Sequence, residues 1–437
     1  MRLALAALAL AALAGCTPPA QVSKDVPLTG VGFGALSPRA GWTGAQGGPS
    51  PDRDFIDLSF ALESGQELAR FTRFEGPITL ATAGEVPPTA RRDLEQLVAR
   101  LRSEAGIDIA LTEGPARITV EFARRAALRP LAPRAACFVV PNVGSLAEYR
   151  RARGTAAVDW ARITRRERAA VFIPSDTSPQ EMRDCLHEEL AQALGPLNDL
   201  YRLSDSVFND DNFHSTLTDF DMEILRLTYS PALATGMTRQ EVAARLGVAP
   251  GRTGSDTPLE WVRAIEAALG RDGPAGARQG AAERALAIAT AAGWRDSRAA
   301  FSHFAVGRLT AGSDPVRALQ AFDRAGAIWS RLPGGEVQLA HVDMQLAAMA
   351  LAGGLPEDAV RLTDRAMPVV RQSGNAALLA TLMLVKAEAL EALGNPAAAA
   401  ALRLDSQPWA RYGFGPDSVV KARMRDIAAV AGRASGG

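Results

Sequence analysis

Residues 178–198, SPQEMRDCLHEELAQALGPLN, decide how the chain is read. Ser178 suits a helix N-cap, Pro179 the first helical position, and Glu181 completes a Ser-x-x-Glu capping box. Gly195 followed by Pro196 ends the helix. Met182, Leu186, Leu190, Ala193 and Leu194 form its apolar stripe. At about 100° per residue, Glu188 and Gln192 stand about 40° apart, away from that stripe. They face either solvent or the floor of a cleft.

Towards the N-terminus the pattern alternates between the two regular periods. Thr72 to Thr82 reads as a strand pair element, and Thr89 to Ala105 repeats Leu94, Leu97, Val98 and Leu101 at helical spacing. Ile107 to Leu111 and Ile118 to Phe122 alternate at period two, as half-buried strands do. Ala136 to Val140 and Ala169 to Ile173 are short apolar strands. This order predicts an α+β layer in which a helix covers one face of a sheet.

The chain begins as an exported one would. After Arg2, Leu3 to Ala14 is an unbroken run of twelve Leu and Ala residues, too short to span a bilayer but suited to a signal peptide. Leu13-Ala14-Gly15-Cys16 resembles a bacterial lipobox, which implies a cleaved leader at 1–15 and acylation of Cys16. Thr17 in place of aspartate favours the outer membrane. The Pro, Gly, Ser and Thr-rich residues 16–52 read as a lipidated flexible tether. Export leaves Cys137, in a strand, and Cys185, on the helix, in an oxidising space. A bridge between them is favoured over two buried thiols, and its loop of about 49 residues is worth roughly 4 kcal/mol.

Towards the C-terminus the strand signals stop near Met237 and the sequence turns alanine-rich. Pro315-Val316-Arg317-Ala318 with Asp323-Arg324-Ala325 recurs as Pro356-Glu357-Asp358-Ala359 with Asp364-Arg365-Ala366, and a weaker copy starts at Asn395-Pro396. Glycine turns at Gly312, Gly353-Gly354 and Gly394 close the first helix of each unit. Two helices per unit with small residues at the crossing is tetratricopeptide-like logic. Stacked units present a curved surface for a peptide or protein.

Composition narrows the function classes. The 437 residues predict two or three domains, and 47% apolar with 22% charged residues is ordinary for a globular chain. Forty-eight basic residues cancel forty-eight acidic ones, which excludes a generic polyanion binder and predicts no nucleic-acid partner. The four histidines leave little room for a histidine-rich metal site. Ser206 and Ser215 lie near His214 but lack a Gly-x-Ser-x-Gly elbow. Asp205, Asp210 and Asp211 do not fit a calcium loop. Arg150, Arg151, Arg153, Arg162, Arg165, Arg166 and Arg168 read as a charged, exposed stretch.

A zinc peptidase helix needs His at i and i+4 with Glu at i+1. Starting from His187, the second ligand position is Ala191. One residue later the pattern is Glu188-Glu189-x-x-Gln192-x-x-Gly195-x-x-Asn198, with the glycine in place. In this register residues 70–245 resemble a metzincin. The resemblance puts Glu189 at the general-base position and Glu188, Gln192 and Asn198 at the three ligand positions, with His187 outside the pattern. Ser206-Val207-Phe208-Asn209 resembles the turn beneath the metal, and Leu217-Thr218-x-x-Asp221 with Leu225, Leu227 and Tyr229 resembles the closing helix of matrixin-type domains. The same block is similar to bacterial lipoproteins of the domain of unknown function 2927 family, through His187-Glu188-Glu189-x-x-Gln192-x-x-Gly195, Asn198-Asp199 and Ser206-Val207-Phe208-Asn209. That family has no established activity, so the resemblance implies organisation and no reaction.

The expectation is therefore a zincin-like α+β domain at 53–247 followed by an all-α, tetratricopeptide-like repeat domain at 248–437. The chain reads as a lipoprotein held in the envelope through Cys16 and facing the periplasm. It works as a binding or scaffold protein whose repeats take a protein or peptide. Carboxylate and amide oxygens suit zinc poorly and calcium, magnesium or manganese better, so no cofactor is expected, with a hard divalent cation as the alternative. The rival reading is a metal-dependent peptidase in which Glu189 activates water, with an oxygen-rich metal site or with His187 or His214 recruited from outside the pattern. A third leaves Glu188 and Gln192 on a hydrogen-bonded helix face and Glu189 as a surface or capping acid.

Overall fold

The computed structural model describes residues 51–437, apart from 134, 210, 252–256, 271–272 and 433–437. The expected leader, Cys16 and the tether as far as residue 50 lie outside the described residues, as does Asp210. The described chain forms two compact units. One is built from residues 51–200 and 206–251, the other from 201–205 and 257–432.

The first unit contains α1 (Pro51–Ser59), β1 (Ile78–Gly84), α2 (Pro88–Glu104), β2 (Ile109–Leu111), β3 (Ile118–Ala123), α3 (Arg125–Leu128), β4 (Phe138–Pro141), α4 (Leu146–Ala152), β5 (Ala169–Pro174), α5 (Pro179–Leu194), α6 (Asp219–Thr228) and α7 (Arg239–Leu246). The five strands form one sheet in the order β2-β1-β3-β5-β4. Only the β4–β5 pairing is antiparallel. The sheet is thus mixed and largely parallel, an α/β arrangement rather than the expected α+β layer. The reason is the crossover: β1 reaches β2 through the long helix α2, and such a connection returns the chain parallel. Only part of the Thr72–Thr82 stretch is strand, because Gly76, at φ +75°, and Pro77 interrupt it before Ile78.

All six residues of β5 are buried, as a strand covered on both faces requires. Ala170 and Phe172 pack with Leu128, Val140, Val143 and Leu146 on one side. Alternation turns Val171 and Ile173 to the other side, where α5 packs on β4 and β5 and beside α2. The disulfide Cys137–Cys185 ties the chain entering β4 to the middle of α5.

The ends of α5 follow the sequence signals, with one change. Ser178 Oγ accepts from the Glu181 amide at 3.2 Å. The Glu181 carboxylate does not reach back to complete the box and turns instead to Arg125 and Thr177. At the other end the helix stops in the interior, where its carbonyls need donors. Arg166 supplies them, donating to the carbonyls of Gln192 and Ala193 at 2.7 Å and of Gly195 at 2.6 Å. The Tyr229 hydroxyl donates to Leu194 at 2.9 Å. Arg166 is 4% exposed, which corrects its reading as part of an exposed basic stretch. Its ring-side neighbour is Trp160, 4.7 Å from the guanidinium. Burial pulls Arg166 down to about 10, so it keeps its charge at neutral pH. Gly195 is required by close approach, since a Cβ there would meet Thr228 at 2.6 Å.

The second unit is helical: α8 (Leu259–Leu269), α9 (Ala275–Ala291), α10 (Ser297–Thr310), α11 (Pro315–Trp329), α12 (Glu336–Ala352), α13 (Pro356–Ser373), α14 (Ala376–Ala392), α15 (Pro396–Asp405), α16 (Gln407–Phe414) and α17 (Asp417–Ala431). Pro315, Pro356 and Pro396, in phase in the sequence, each open a helix. From α8 to α17, each helix packs against the next in sequence. Small residues sit where helices cross: a Cβ on Gly307 of α10 would strike the Phe322 ring of α11 at 2.7 Å. The repeated Asp-Arg dipeptide joins neighbours, Arg365 pairing with Asp343 on α12 and Asp364 with Lys386 on α14.

Two outcomes test this account. Arg166→Met leaves several buried carbonyls without donors and is expected to cost about 3 kcal/mol in denaturant unfolding. A loss below about 1 kcal/mol would show that the helix end has other donors. Replacing Cys137 and Cys185 by serine, which opens a link across 48 residues, is expected to lower unfolding free energy by about 4 kcal/mol. A reductant should lower the melting temperature of the parent chain and leave that of the double variant unchanged.

Candidate functional site

The residues singled out on α5 and after it fall into three places. Glu188 is half-buried, while Glu189 and Gln192 are buried. They share a wall with Glu63, an exposed residue in the turn after α1, to which the Gln192 amide donates at 3.4 Å. Asn198 lies apart from them. Its side-chain amide donates to the Asp57 carbonyl at 3.0 Å, and its backbone joins Leu197 on the Leu58 carbonyl, so it pins the post-helix turn to α1. His187 points another way: its Nδ1 accepts the Leu217 amide at 3.1 Å. Burial, with Arg183 and Arg100 nearby, holds this imidazole neutral and well below its ordinary range.

The turn after α5 is built around one carboxylate. Asp221, fully buried near the start of α6, accepts from Ser206 Oγ at 2.6 Å and from the Val207 amide at 3.1 Å. It also accepts from the Thr218 amide at 2.8 Å, while Thr218 Oγ1 accepts from the Asp221 amide at 3.2 Å, a closed capping box. Phe208, on the Ser206–Asn209 turn, is buried, and its amide donates to Ser206 Oγ at 2.9 Å. Of the two serines considered as nucleophiles, Ser206 therefore donates to Asp221, and Ser215 accepts from Arg183 at 3.0 Å.

Zinc is a poor fit to these groups. Gln192 and Asn198 present amide N–H donors to Glu63 and Asp57, and the His187 lone pair at Nδ1 is taken by a backbone amide. Among the described residues no three His, Cys, Asp or Glu side chains are placed to hold one metal ion.

Glu189 departs most from its reading as a surface or capping acid. It is 5% exposed, and burial followed by the charges of Glu188 and Glu63 pushes its carboxyl well above the ordinary range. Glu63 has no local sequence signal, since more than a hundred residues separate it from Gln192. The chain contains many glutamates, and only folding selects this one. Arg166 was visible only as one of a basic run.

Residues 50–247 match the family model described as Protein of unknown function (DUF2927). The match covers the mixed sheet, α5 and the Asp221-centred turn, and supports the resemblance carried by the motif from His187 to Asn209. It spans a little under half of the chain and ends before α8, the first helix of the helical unit. No curated protein and no solved structure matches the chain.

The raised proton affinity of Glu189 has a signed consequence for stability. Its folded carboxyl holds a proton more tightly than the unfolded one, whose ordinary value is 4.5. Stability from this group is complete below that value and is lost as pH rises through the folded value. Glu189→Gln is therefore expected to raise the melting temperature at pH 8. The gain should shrink as pH falls towards 4; an equal gain at both ends would show that burial does not control this carboxyl.

Proposed function

We propose that the protein is a lipoprotein of the cell envelope, anchored through Cys16 and facing the periplasm, most consistent with the outer membrane, that works by binding rather than by catalysis. Its first unit is read as a zincin-like domain without a zinc-holding ligand set. Its second is read as a tetratricopeptide-like array that recruits a protein or peptide. The observation that carries this reading is the use made of the ligand positions. In the zincin register, imidazole acceptors would stand at 188, 192 and 198. Here Gln192 and Asn198 donate their amide hydrogens to neighbouring oxygens, and His187 is engaged away from the wall. The strand–helix–strand–strand order leading into α5 and the glycine at its end support the zincin-like part. The in-phase prolines and small crossing residues support the repeat part.

A metal-dependent peptidase using Glu189 as general base is the second reading. One observation favours it: a carboxyl with raised proton affinity, buried on the helix at the general-base position, is what such chemistry needs.

The two readings part on metal content and turnover. The full chain, purified in detergent without chelator, is expected to carry far less than one transition-metal ion per molecule by mass spectrometry. It should cleave no peptide from a random library with zinc, manganese or calcium added. One metal per chain lost in Glu188→Ala, or hydrolysis abolished by Glu189→Gln, would overturn the binding reading in favour of the peptidase.

A further inference from the structure

Glu189 is nine-tenths buried, and no described residue donates a hydrogen bond to its carboxyl. Its electrostatic neighbours are two more carboxylates, Glu188 and Glu63. Exposure grades along the three: Glu63 is open to solvent, Glu188 half-buried and Glu189 buried. Gln192, one turn on from Glu188 and Glu189, joins the wall through its contact with Glu63. An acid held inside beside like charges, with no donor of its own, costs stability unless a positive group arrives from outside.

Burial and the lack of a metal-holding cluster among the described residues select the kind of cation. A metal ion needs several oxygens converging at about 2.0–2.6 Å, and among the described residues no three acidic or imidazole groups are so placed. An ammonium is a compact point charge. A guanidinium is planar and wider, with five N–H donors that can serve carboxylates lying apart from one another. The inward gradient of exposure suits a long side chain carrying its charge at the tip.

We propose that the Glu63–Glu188–Glu189 wall receives an arginine side chain of a protein partner, with the Glu189 carboxylate as the innermost contact of the guanidinium. The proposal rests on the binding reading above and names the chemistry of its ligand. The guanidinium offers Glu189 the donors it lacks among the described residues, and its charge offsets the repulsion that Glu189 meets from its acidic neighbours.

Calorimetric titration of the full chain in detergent tests this. The probes are a short Gly/Ser peptide with one central arginine and its lysine and citrulline counterparts. Saturable one-to-one binding of the arginine peptide is expected, at least fivefold weaker for lysine and undetectable for citrulline. Glu189→Gln should weaken it tenfold or more, and Glu63→Gln, an exposed change, severalfold with an unaltered melting curve. No saturable binding, equal binding to the Glu189→Gln variant, or equal binding of arginine and lysine peptides would overturn the guanidinium assignment. So would one calcium ion per chain displacing the peptide. Any of these in a metal-free, non-hydrolysing protein removes the arginine and leaves the binding reading in place. Metal-dependent hydrolysis lost in Glu188→Ala removes the binding reading itself, whatever the peptides do.

Discussion

A buried guanidinium at the end of α5 is the constraint on which the first unit depends. The helix stops inside the fold, and the chain beyond Gly195 turns back to meet α1, so water is not there to satisfy the last carbonyls. Arg166 carries several donors in one rigid group and reaches three of them. It also puts positive charge at the negative pole of the helix, where the peptide dipoles favour it. The same device recurs on α6, whose end is held by Arg73 through the carbonyls of Thr228 and Ser230 at 2.8 and 2.9 Å. Two arginines from the segments that lead into the sheet thus fix both helices. The hydrogen bonds at its far end set where the wall on α5 stands.

That placement gives the composition of the wall its meaning. The Gln192 and Asn198 amides donate to Glu63 and to the Asp57 carbonyl, and these contacts close the turn around α1. Glu189 does the opposite: no described residue donates a hydrogen bond to its carboxyl, and its burial beside like charges raises the cost of the fold. A group that breaks the local rule without a structural return is where function is to be sought. Asp221 shows the contrast, being as deeply buried yet surrounded by donors from Ser206, Val207 and Thr218.

The helical unit is stabilised in another way. The Arg365–Asp343 and Lys386–Asp364 pairs each keep one partner open to solvent, where screening limits what an ion pair contributes. The stability comes from alanines and glycines that let helices approach closely, and from a few large side chains such as Trp261, Trp329 and Phe322 set between them.

Local signals were legible in the sequence. The N-cap, stop and apolar stripe of α5, the five strand segments and the phased prolines of the helical unit depend on neighbours a few residues away. The likeness of the helix and the following turn to a known family was legible for the same reason. Strand direction, the two-sided burial of β5, the partnership of Glu63 with Gln192 and the burial of Arg166 and Glu189 were not. Each depends on residues that are distant in the chain and meet only after the sheet has closed. Periodicity records which face of an element is apolar, so sequence alone determined the elements and their stripes. What lies opposite a polar residue is set by long-range packing, so the tertiary structure alone decided which arginine became a cap and which glutamate was left buried without a donor among the described residues.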